Sequence, residues 1–456
     1  MSFRSWRSWR LGGLGAYNVK IKSQTRPLPA IDGPAGVHHD SGMSDRTEHG
    51  PPDLISVARA IQILDDVTVT PRVQRVRLAD AQGLRLADQI SSDRDYPPFD
   101  KSVMDGYAVR AADVTSAGVE LRVVETIAAG ASAQRSLAAG EAIAIMTGAP
   151  LPPGADAVIP VEETARHGDR VVLHRPAKIG GAIARRGSDV VEGRVVLPKG
   201  VRLGPAQIAV AASVGAAEAA VFARPAVRIL STGGEIVPFD QLPGPSQIRD
   251  SNSIMLGALL QQLGCDVVDA VHVEDDWDKI RGQIAIQSGD ADALFITGGM
   301  SMGEFDFVPK ILMRHFGATL QISKLRIKPG KPFLYTQLQA TAPSQRTCHV
   351  FGLPGNPVSG FVCTIRLAAR VLRRMMGAPA EESIIEAKLA SPLPLNGPRE
   401  FYHPALHIGG SVQPLAWKGS ADIYTLAEAN ALIIRTEDAP PAAAGDLVQM
   451  LDLSHL

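Results

Sequence analysis

The sequence predicts a multidomain α/β protein in which a central doubly wound α/β domain is flanked by small β-rich domains. Its 456 residues are enough for about three domains of ordinary size. Between residues 225 and 376, strand-like and helix-like patterns alternate with short connections, which is typical of a parallel sheet. On both sides of that stretch the apolar runs are short and separated by glycine and proline. Aromatic residues make up 5% of the chain, a composition that argues against a helical bundle.

The part of the chain before residue 225 is predicted to be mostly β-structure after one initial helix. Apolar residues at helical spacing predict that helix at Leu54–Leu64. The predicted strands are Val73–Leu78, Arg85–Ile90, Leu121–Thr126, Glu141–Met146, Ala157–Val161 and Arg170–Leu173. An alanine-rich helix near Ala206–Val214 follows them. Short strands separated by turns indicate a small β-rich domain.

The central domain is predicted from an alternation of strands and helices. Its strands are Val227–Leu230, Asp266–Val271, Ala293–Thr297 and Val350–Leu353, and its helices are Ser253–Leu263, Trp277–Gln287, Asp306–Phe316 and Val358–Met376. Short strands return after Gly377. The resulting division is a leader at 1–50, a discontinuous linker domain at 51–94 plus 190–224, a β-rich domain at 95–189, the α/β domain at 225–376 and a β-barrel-like domain at 377–456.

Charge and cysteine content exclude several classes of protein. The formal net charge of −1 gives no general basic field for nucleic acid. The most apolar uncharged run, Ile208–Ala217, is too short to span a bilayer. The three cysteines are far apart, which excludes a zinc ribbon and a disulfide framework and fits a reducing compartment. We therefore expect a cytoplasmic protein with neither a nucleic-acid nor a membrane partner.

Residues 1–42 form a basic leader that differs from the rest of the chain. They carry six basic and two acidic residues, whereas the remaining residues have a net charge of −5. The leader has no long apolar core and is therefore not a secretory signal. A transit peptide, a disordered tail and a start of translation at Met43 are all compatible with it.

Three glycine-rich loops follow strands of the predicted sheet, at Ser231–Glu235, Thr297–Gly303 and Gly352–Ser359. In an open α/β sheet, ligands bind at the carboxyl ends of the strands. Glycines there let backbone N–H groups at helix N-termini approach an anion. Each loop also carries Ser or Thr, so the three together predict a ligand with phosphate groups, with plain turns as the alternative. Neither a P-loop nor a strand-linked dinucleotide signature is present.

The densest cationic cluster reads KLRIKPGKP and begins at Lys324. If its first part is extended, Lys324, Arg326 and Lys328 lie on one face of the strand. The Pro-Gly turn then lets Lys331 converge on the same point. A solvated strand face is the alternative, but the rigid turn beside an anion-binding edge favours an oxyanion site.

Carboxylates recur at loop positions, where they are candidate ligands of Mg²⁺. They are Asp105, Asp189, Glu235, Asp250, Asp275, Asp276 and Asp306. Helix capping is the alternative for Asp275, Asp276 and Asp306. The irregular loop PPFDKSVMDGYA, which begins at Pro97, is predicted to make contacts, with a simple β-turn at Asp105-Gly106 as the alternative.

Seven segments, taken in order, resemble the molybdenum insertase family of molybdenum-cofactor synthesis, the molybdopterin molybdenumtransferases, whose animal counterpart is the C-terminal domain of gephyrin. The segments are Pro98–Val109, Met146–Pro160, Ser231–Val237, Asp250–Asn252, Thr297–Phe307, Ile327–Phe333 and Gly352–Ser359. The resemblance extends from about residue 54 to the C-terminus. It implies that the central α/β domain is of the molybdopterin-binding type.

The resemblance implies a transferase that places molybdenum from molybdate on the dithiolene sulfurs of adenylylated molybdopterin and releases AMP, with Mg²⁺ as cofactor. By motif, the catalytic residues would be Asp105, Asp306, Lys324 and Lys328. Adenylylated molybdopterin would bind at Thr147, Asp189, Glu235, Asp275, Gly298, Gly299 and Ser301. Molybdate would bind at Lys328, Lys331, Pro332, Ser359, Ser420 and His403, and Mg²⁺ at Asp306 and Glu235.

Two residues depart from the family pattern. Gly234 stands where the family usually has the aspartate of STGDE, which affects a secondary contact. His403 stands where the family generally has an arginine, a side chain that is always charged and forks around an oxyanion. Either charged His403 suffices, or Arg399 reaches the anion instead, or the affinity for molybdate is reduced.

The resemblance also implies a homodimer and a transient contact with the adenylyltransferase of the same pathway. Two other functions are alternatives. A non-catalytic molybdopterin-binding or scaffold protein of the same fold is disfavoured because Asp105, Asp306, Lys328 and Lys331 are all present. Adenylyl transfer onto molybdopterin, the task of a single-domain family that resembles residues 225–376, is disfavoured because that activity does not need the flanking domains.

Overall fold

The computed structural model describes residues 54–300, 306–339 and 346–454. These residues form two compact units. Unit 1 combines the described parts of Met1–Arg72 and Phe222–Leu456, and unit 2 is Val73–Val221. The predicted leader and the predicted binding residue Ser301 lie outside the described residues.

Helices begin where capping residues and apolar spacing allow them. In the described part of the chain they are α1 (Val57–Asp66), α2 (Pro205–Ser213), α3 (Asn252–Gln262), α4 (Trp277–Ser288), α5 (Phe307–Phe316), α6 (Pro357–Cys363), α7 (Ala369–Met375) and α8 (Ile423–Glu428). The Oγ of Ser56 caps α1 by accepting a hydrogen bond from the backbone N–H of Arg59 at 3.2 Å. Val57, Ala60 and Leu64 form its buried face. The predicted start at Leu54 was therefore early, because the cap lies at Ser56.

Unit 2 consists mainly of strands. They are β1 (Val73–Arg77), β2 (Ile90–Ser91), β3 (Lys101–Ser102), β4 (Gly106–Val109), β5 (Val119–Ile127), β6 (Glu141–Ile145), β7 (Ala157–Pro160), β8 (Thr164–His167), β9 (Arg170–Leu173), β10 (Ile183–Ala184), β11 (Val195–Leu197) and β12 (Glu218–Phe222). Six of them form one sheet in the order β7-β4-β6-β5-β9-β8. Tyr107 and Val109 belong to one apolar cluster and Ala108 to another, so both faces of this sheet are covered.

The predicted strand at Arg85–Ile90 is largely wrong. Arg85 and Leu86 form isolated bridges to Arg202 and Val221, and a strand begins only at Ile90. This segment instead packs its apolar residues into a small cluster with the first residues after β11. A run of six residues with strand-like composition therefore does not form a continuous ladder here.

The strands of unit 1 belong to a central sheet, a barrel and one small pair. They are β13 (Ala226–Thr232), β14 (Ile236–Val237), β15 (Ile248–Arg249), β16 (Asp266–Val273), β17 (Ala293–Thr297), β18 (Ile327–Lys328), β19 (Leu334–Gln339), β20 (Thr347–Leu353), β21 (Ile384–Leu389), β22 (Glu400–Ile408), β23 (Ser411–Pro414), β24 (Ala431–Arg435) and β25 (Leu447–Asp452). The central sheet has the order β16-β13-β17-β20-β19. Its first four strands are parallel, and β19 pairs antiparallel with β20.

The predicted doubly wound α/β domain is confirmed by this sheet. All five residues of β17 are buried, as expected for a strand with helices on both faces of its sheet. The antiparallel edge strand β19 was not predicted, because its sequence LYTQLQ follows the cationic cluster without a helical crossover. The predicted helix Val358–Met376 is present as α6, a π-helical segment at Thr364–Ala368, and α7.

The C-terminal β-rich part of unit 1 closes into a barrel. Its strands pair in the order β22-β23-β21-β25-β24, and β24 also pairs with β22. The short strand β18 adds to β22 in parallel, with Ile327 opposite Glu400 and Lys328 opposite Phe401. The end of the cationic cluster is thus hydrogen-bonded to the barrel.

The structure also bears on three other expectations from the sequence, namely those about membrane spans, cysteines and domain boundaries. Within the described residues, no helix is long and apolar enough to cross a bilayer. Cys265, Cys348 and Cys363 are buried and unpaired, as their spacing predicts. The β-rich flanking regions are confirmed as a fold class, whereas the division into a linker domain and three others stays a prediction. In the structure, α1 belongs to unit 1 and the rest of the predicted linker domain mainly to unit 2.

Candidate active site

The loops that follow β13 and β17 lie beside each other at the carboxyl edge of the central sheet. Gly298, directly after β17, has a φ of +90°, and a Cβ at this position would lie 2.2 Å from the Thr232 carbonyl oxygen. A larger residue would push the two loops apart, so glycine is required here. The Oγ1 of Thr232 is buried without a hydrogen-bond partner in the described residues, which leaves a polar group for a ligand at this edge.

The segment Asp250–Asn252 forms hydrogen bonds that connect loops at this edge of the sheet. Asp250 accepts hydrogen bonds from the N–H and the Oγ–H of Ser253, at 3.0 and 2.7 Å, and so stabilises the start of α3. The Nδ2 of Asn252 donates to the Gly355 carbonyl at 2.6 Å and to Thr297 Oγ1 at 3.3 Å. Its Oδ1 is buried and has no partner in the described part of the chain. Asn252 therefore joins the loops after β17 and β20 and keeps one acceptor unused.

The carboxylates predicted at this edge have different surroundings. Asp276 caps α4, accepting a hydrogen bond from its first turn at 2.9 Å. Asp275 instead accepts a hydrogen bond from the N–H of Gly234 at 3.1 Å, so capping accounts for Asp276 and not for Asp275. Asp306 lies at the N-cap position of α5, but its side chain makes no capping hydrogen bond. Glu235 lies in the loop after the neighbouring strand β13, at the same edge of the sheet as Asp306.

A polar pocket of about 480 Å³ lies where the cationic cluster meets the barrel. Four cationic residues line it, namely Lys328, Lys331, Arg399 and Lys418, and none of the described residues around it is a carboxylate. Within the described residues, no salt bridge involves any of these four. We call this cavity the anion pocket, because four cations without a salt bridge attract an anion.

Serine and asparagine side chains supply hydrogen bonds on another side of the anion pocket. The Nδ2 of Asn356 donates to Ser420 Oγ at 2.8 Å, and the N–H of Val358 donates to the Ser420 carbonyl at 3.1 Å. Because Ser420 Oγ accepts in this pair, its own O–H can donate to a ligand. Ser359 is 3% exposed and lies in the first turn of the helix that α6 begins. Helix N–H groups at such a position favour an anion.

The Pro-Gly turn holds the two predicted lysines around the anion pocket. Gly330 has a φ of +121°, and a Cβ there would lie 2.5 Å from the Sγ of Cys363. Only glycine allows the turn to pack so closely on the helix. Burial raises the pKa of the Cys363 thiol, so this cysteine is a core group and not a nucleophile.

The charged residues of the cationic cluster have different partners. Lys324, Arg326 and Lys328 are partly exposed and the two residues between them are buried, as the predicted alternation requires. The Nε of Arg326 donates to both carboxylate oxygens of Glu437 at 3.0 Å. Arg326 is therefore occupied by a barrel carboxylate, whereas Lys328 lines the anion pocket.

His403 lies outside the residues that line the anion pocket. Its Nε2 is 2.8 Å from the Leu415 carbonyl oxygen. Burial lowers the pKa of His403; the hydrogen bond to Leu415 opposes this shift and the nearby charge of Lys328 reinforces it. A neutral ring that donates to a carbonyl is a poor oxyanion ligand. Arg399 lines the pocket instead, so the geometry favours this alternative among those left open by the sequence.

Unit 2 carries the second group of predicted residues. The Oδ1 of Asp105 accepts hydrogen bonds from the N–H of Thr147 at 2.7 Å and from its Oγ1 at 2.8 Å. The backbone and side-chain hydrogen bonds lower the pKa of Asp105, which is therefore ionised at neutral pH. Asp189 is exposed and accepts a hydrogen bond from Ser188 at 3.2 Å. The structure thus pairs Asp105 with Thr147, and in the described residues neither of them is hydrogen-bonded to Asp189.

Comparison with known proteins identifies the family. The chain matches the MoeA N-terminal region (domains I and II) over residues 55–215, a probable molybdopterin binding domain over 228–374 and the MoeA C-terminal region (domain IV) over 386–453. Molybdopterin molybdenumtransferase 2 of Mycobacterium tuberculosis is 35% identical over 397 residues, which cover 83% of this chain and 95% of the relative. The chain belongs to the molybdopterin molybdenumtransferase family.

Two further relatives support the same assignment. The molybdopterin molybdenumtransferase of Bacillus subtilis is 32% identical over 82% of this chain and 89% of its own length. The crystal structure of the molybdopterin biosynthesis MoeA protein from Pyrococcus horikoshii superposes with a TM-score of 0.73 at 30% identity, covering 88% of this chain and all of the other. The resemblance carried by the seven sequence segments is confirmed.

Most of the residues predicted to bind molybdate line the anion pocket. Lys328, Lys331, Pro332, Ser359 and Ser420 all line it. Their roles stay predictions, as do those of the other site residues. Sequence reasoning missed Asn356, Trp417 and Lys418, which also line the pocket. A signal for them existed, because NPVS contains Asn356 and Ser359, and WKGS contains the other two together with Ser420.

Proposed function

We propose that this protein inserts molybdenum during molybdenum cofactor biosynthesis, transferring it from molybdate to the dithiolene sulfurs of adenylylated molybdopterin and releasing AMP. The anion pocket is the observation that carries this proposal. Four cationic residues line it without a carboxylate among its described lining residues. The family relationship supplies the reaction class, since the relatives are molybdenumtransferases.

The chemistry of the pocket suits molybdate, a doubly charged tetrahedral oxyanion. Lysine ammonium groups act as point charges, and the guanidinium of Arg399 can fork around two oxygens. Ser420, whose Oγ accepts from Asn356, can donate its hydroxyl proton to a third oxygen. Arg399 takes the place that the family pattern gives to an arginine at position 403.

The glycine loops at the sheet edge suit the phosphate and nucleotide part of the second substrate. The backbone at Gly298 and Gly299 can approach a phosphate closely, and Thr232 and Asn252 offer unused polar atoms nearby. Asp275, Asp306 and Lys324 belong to this cleft in our proposal. Asp105, kept ionised by the hydrogen bonds from Thr147, and Asp189 belong to unit 2, and in our proposal they keep the roles that the family motif gives them.

Mg²⁺ fits the oxygen donors that this edge provides. Asp306 and Glu235 follow neighbouring strands of the sheet, and both are carboxylates. The described residues contain no cluster of three or more His, Cys, Asp or Glu that could hold a metal ion. Mg²⁺ does not need one, because it commonly binds one or two carboxylates together with substrate phosphates and water. When bound, it would neutralise phosphate charge as the pyrophosphate bond opens.

The direct test measures AMP released from adenylylated molybdopterin by the purified protein, with Mg²⁺ and increasing molybdate. We expect AMP release to depend on both molybdate and Mg²⁺. Binding of adenylylated molybdopterin without molybdate-dependent turnover would instead support the scaffold alternative. Adenylyl transfer would appear as AMP incorporated from ATP into molybdopterin.

The proposed assembly follows the family pattern. We propose a cytoplasmic homodimer in which each cleft receives residues from both subunits, with a transient contact to the adenylyltransferase that supplies the substrate. Sedimentation of the active protein tests the dimer. A fully active monomer would contradict it.

A further inference from the structure

An aromatic pair lies against the ammonium group of Lys328. The Nζ is 4.5 Å from the ring centroid of Phe401 and 5.6 Å from that of Trp417. The two rings are 5.2 Å apart and tilted by 34°. These distances are within the range of cation–π attraction, in which the negative face of a ring holds a cation.

The fold fixes this arrangement from two sides. Strand β18 pairs with β22 so that Lys328 lies directly opposite Phe401, which places both side chains on one face. The ring of His403 packs behind Phe401 with centroids 4.9 Å apart. His403 in turn bonds to the Leu415 carbonyl, near the start of the segment that carries Trp417.

The aromatic pair holds Lys328 in a way that a carboxylate cannot. Lys331, Arg399 and Lys418 line the same pocket and repel the ammonium group when no anion is present. A carboxylate would hold Lys328 against this repulsion, but it would also neutralise the charge and repel an incoming oxyanion. A ring attracts the cation through its quadrupole and leaves the full positive charge for the ligand.

We propose that Phe401 and Trp417 are positioning residues that hold the Lys328 ammonium group in the anion pocket, ready for molybdate. This inference rests on the proposed function, because it takes molybdate as the anion. It extends that function by giving the barrel a specific task. His403 contributes by supporting the Phe401 ring and not by contacting the anion.

The first experiment measures the Kd of molybdate by titration calorimetry on the full chain, without adenylylated molybdopterin. Phe401→Leu removes the ring and is expected to weaken molybdate binding about fivefold to tenfold, whereas Phe401→Tyr, which keeps a ring face, restores binding to within about twofold. Phe239→Leu makes the same chemical change at an exposed phenylalanine that does not line the anion pocket, and is expected to leave the Kd unchanged. Equal loss in the Leu and Tyr variants, or no loss in either, would overturn the proposal.

A double-mutant cycle separates a positioning role from a general structural one. If Phe401 acts through the ammonium group, Phe401→Leu has less than about a twofold effect on the Kd in a Lys328→Met background. The same fivefold to tenfold loss with and without Lys328 would show that the ring merely supports the pocket, and would overturn the proposal. Thermal unfolding of each variant identifies any that does not fold. In that case Trp417→Leu and Trp417→Phe replace the Phe401 pair in the same cycle.

The outcomes distinguish this inference from the proposed function. Molybdate binding with the expected pattern, but without AMP release, would leave the positioning role intact and contradict the insertase. AMP release and normal molybdate binding in Phe401→Leu would leave the insertase intact and contradict the positioning role. A wild-type protein that does not bind molybdate would contradict both.

Discussion

Two sets of charged residues in unit 1 have opposite surroundings. The first is the anion pocket, with Lys328, Lys331, Arg399 and Lys418. The second, which we call the helix network, consists of Arg366, Arg370, Glu382 and Asp65. Both Arg366 and Arg370 contact the same oxygen of Glu382, at 2.9 and 2.7 Å, and Arg370 also contacts Asp65 at 2.7 Å.

The two sets differ in whether their cations form salt bridges with carboxylates. The arginines of the helix network have side chains that are 12% and 6% exposed, and each has a carboxylate partner. The cations of the anion pocket form no salt bridge within the described residues, although Asp422 lies close to Lys418 and accepts a hydrogen bond from its backbone N–H at 3.1 Å. Removing the carboxylate partner of a buried arginine strongly destabilises the fold, whereas unpaired cations in one pocket repel one another until an anion binds.

The largest effect is expected on the helix network. Glu382→Gln leaves two buried guanidinium groups without their shared carboxylate and should lower the free energy of unfolding by about 3–5 kcal/mol. Urea denaturation measures this change. Glu437→Gln breaks the more exposed pair with Arg326 and serves as the control, with an expected loss of about 0–1 kcal/mol. Similar losses in both variants would show that the buried ion pairs of the helix network contribute no more to stability than the exposed pair of Arg326 and Glu437.

The anion pocket should respond in the opposite way. Lys331→Ala removes a charge on which the oxyanion depends and should lower molybdate-dependent AMP release by roughly 100-fold to 1,000-fold at fixed molybdate. Its unfolding free energy should change by less than about 0.5 kcal/mol, because no salt bridge of the described residues is lost. Lys388→Ala, at an exposed barrel position, is the matched control and should retain activity. Loss of stability without loss of activity in Lys331→Ala would reverse the assignment.

His349, a buried histidine of β20, should make stability depend on pH. Burial lowers the pKa of His349 from 6.5 to about 4; the charge of Arg374 adds to this shift and Asp292 opposes it. Because the folded-state pKa is below the unfolded one, the stabilisation is complete above pH 6.5 and is lost as pH falls from 6.5 towards 4. Between pH 7 and pH 5 the loss attributable to His349 should be about 2 kcal/mol.

His349→Gln removes this titration, so the urea unfolding curves at pH 7 and pH 5 should lie closer together in the variant than in the wild type. An equal pH dependence in both proteins would show that His349 does not carry the effect. The Nδ1 of His349 shares a hydrogen bond with the Tyr335 hydroxyl at 2.8 Å. The side-chain amide of Gln can form a hydrogen bond in its place.

The smallest expected effect is on the molybdate requirement, and it tests whether Arg399 or His403 serves in place of the arginine that the family usually has at position 403. Arg399→Ala should raise the molybdate concentration for half-maximal activity about tenfold, which corresponds to about 1.4 kcal/mol for a charge-assisted hydrogen bond. His403→Gln, which keeps a donor for the Leu415 carbonyl, should change it by less than about threefold, since His403 acts only by packing on Phe401. A larger effect of His403→Gln than of Arg399→Ala would place position 403 in direct contact with the anion.

Local patterns allowed much of the fold to be predicted. The strand Ala293–Thr297 was predicted to the residue, because a short apolar run between turns is determined by its own composition. The alternating exposure from Lys324 to Lys328 was predicted for the same reason, since the period of a strand depends only on the backbone.

Contacts between distant segments could not be predicted in this way. Nothing in the cationic cluster indicates that Arg326 pairs with Glu437 while Lys328 faces the anion pocket. Likewise, the resemblance implies an anion ligand at position 403, and nothing in the sequence indicates that the Nε2 of His403 lies 2.8 Å from the Leu415 carbonyl oxygen. The carboxylate that compensates Arg326 lies 111 positions away in the sequence, and only the folded chain brings the two together.

The pairing of β18 with β22 has a consequence for synthesis of the protein. Chains are made from the N-terminus, and early regions can fold before later ones have emerged. Lys328 and Lys331 are made before Arg399, Trp417 and Ser420, so a nascent chain with a finished central sheet has only half of the anion pocket. The lining of the anion pocket is therefore complete only after the barrel has been made and has paired with β18.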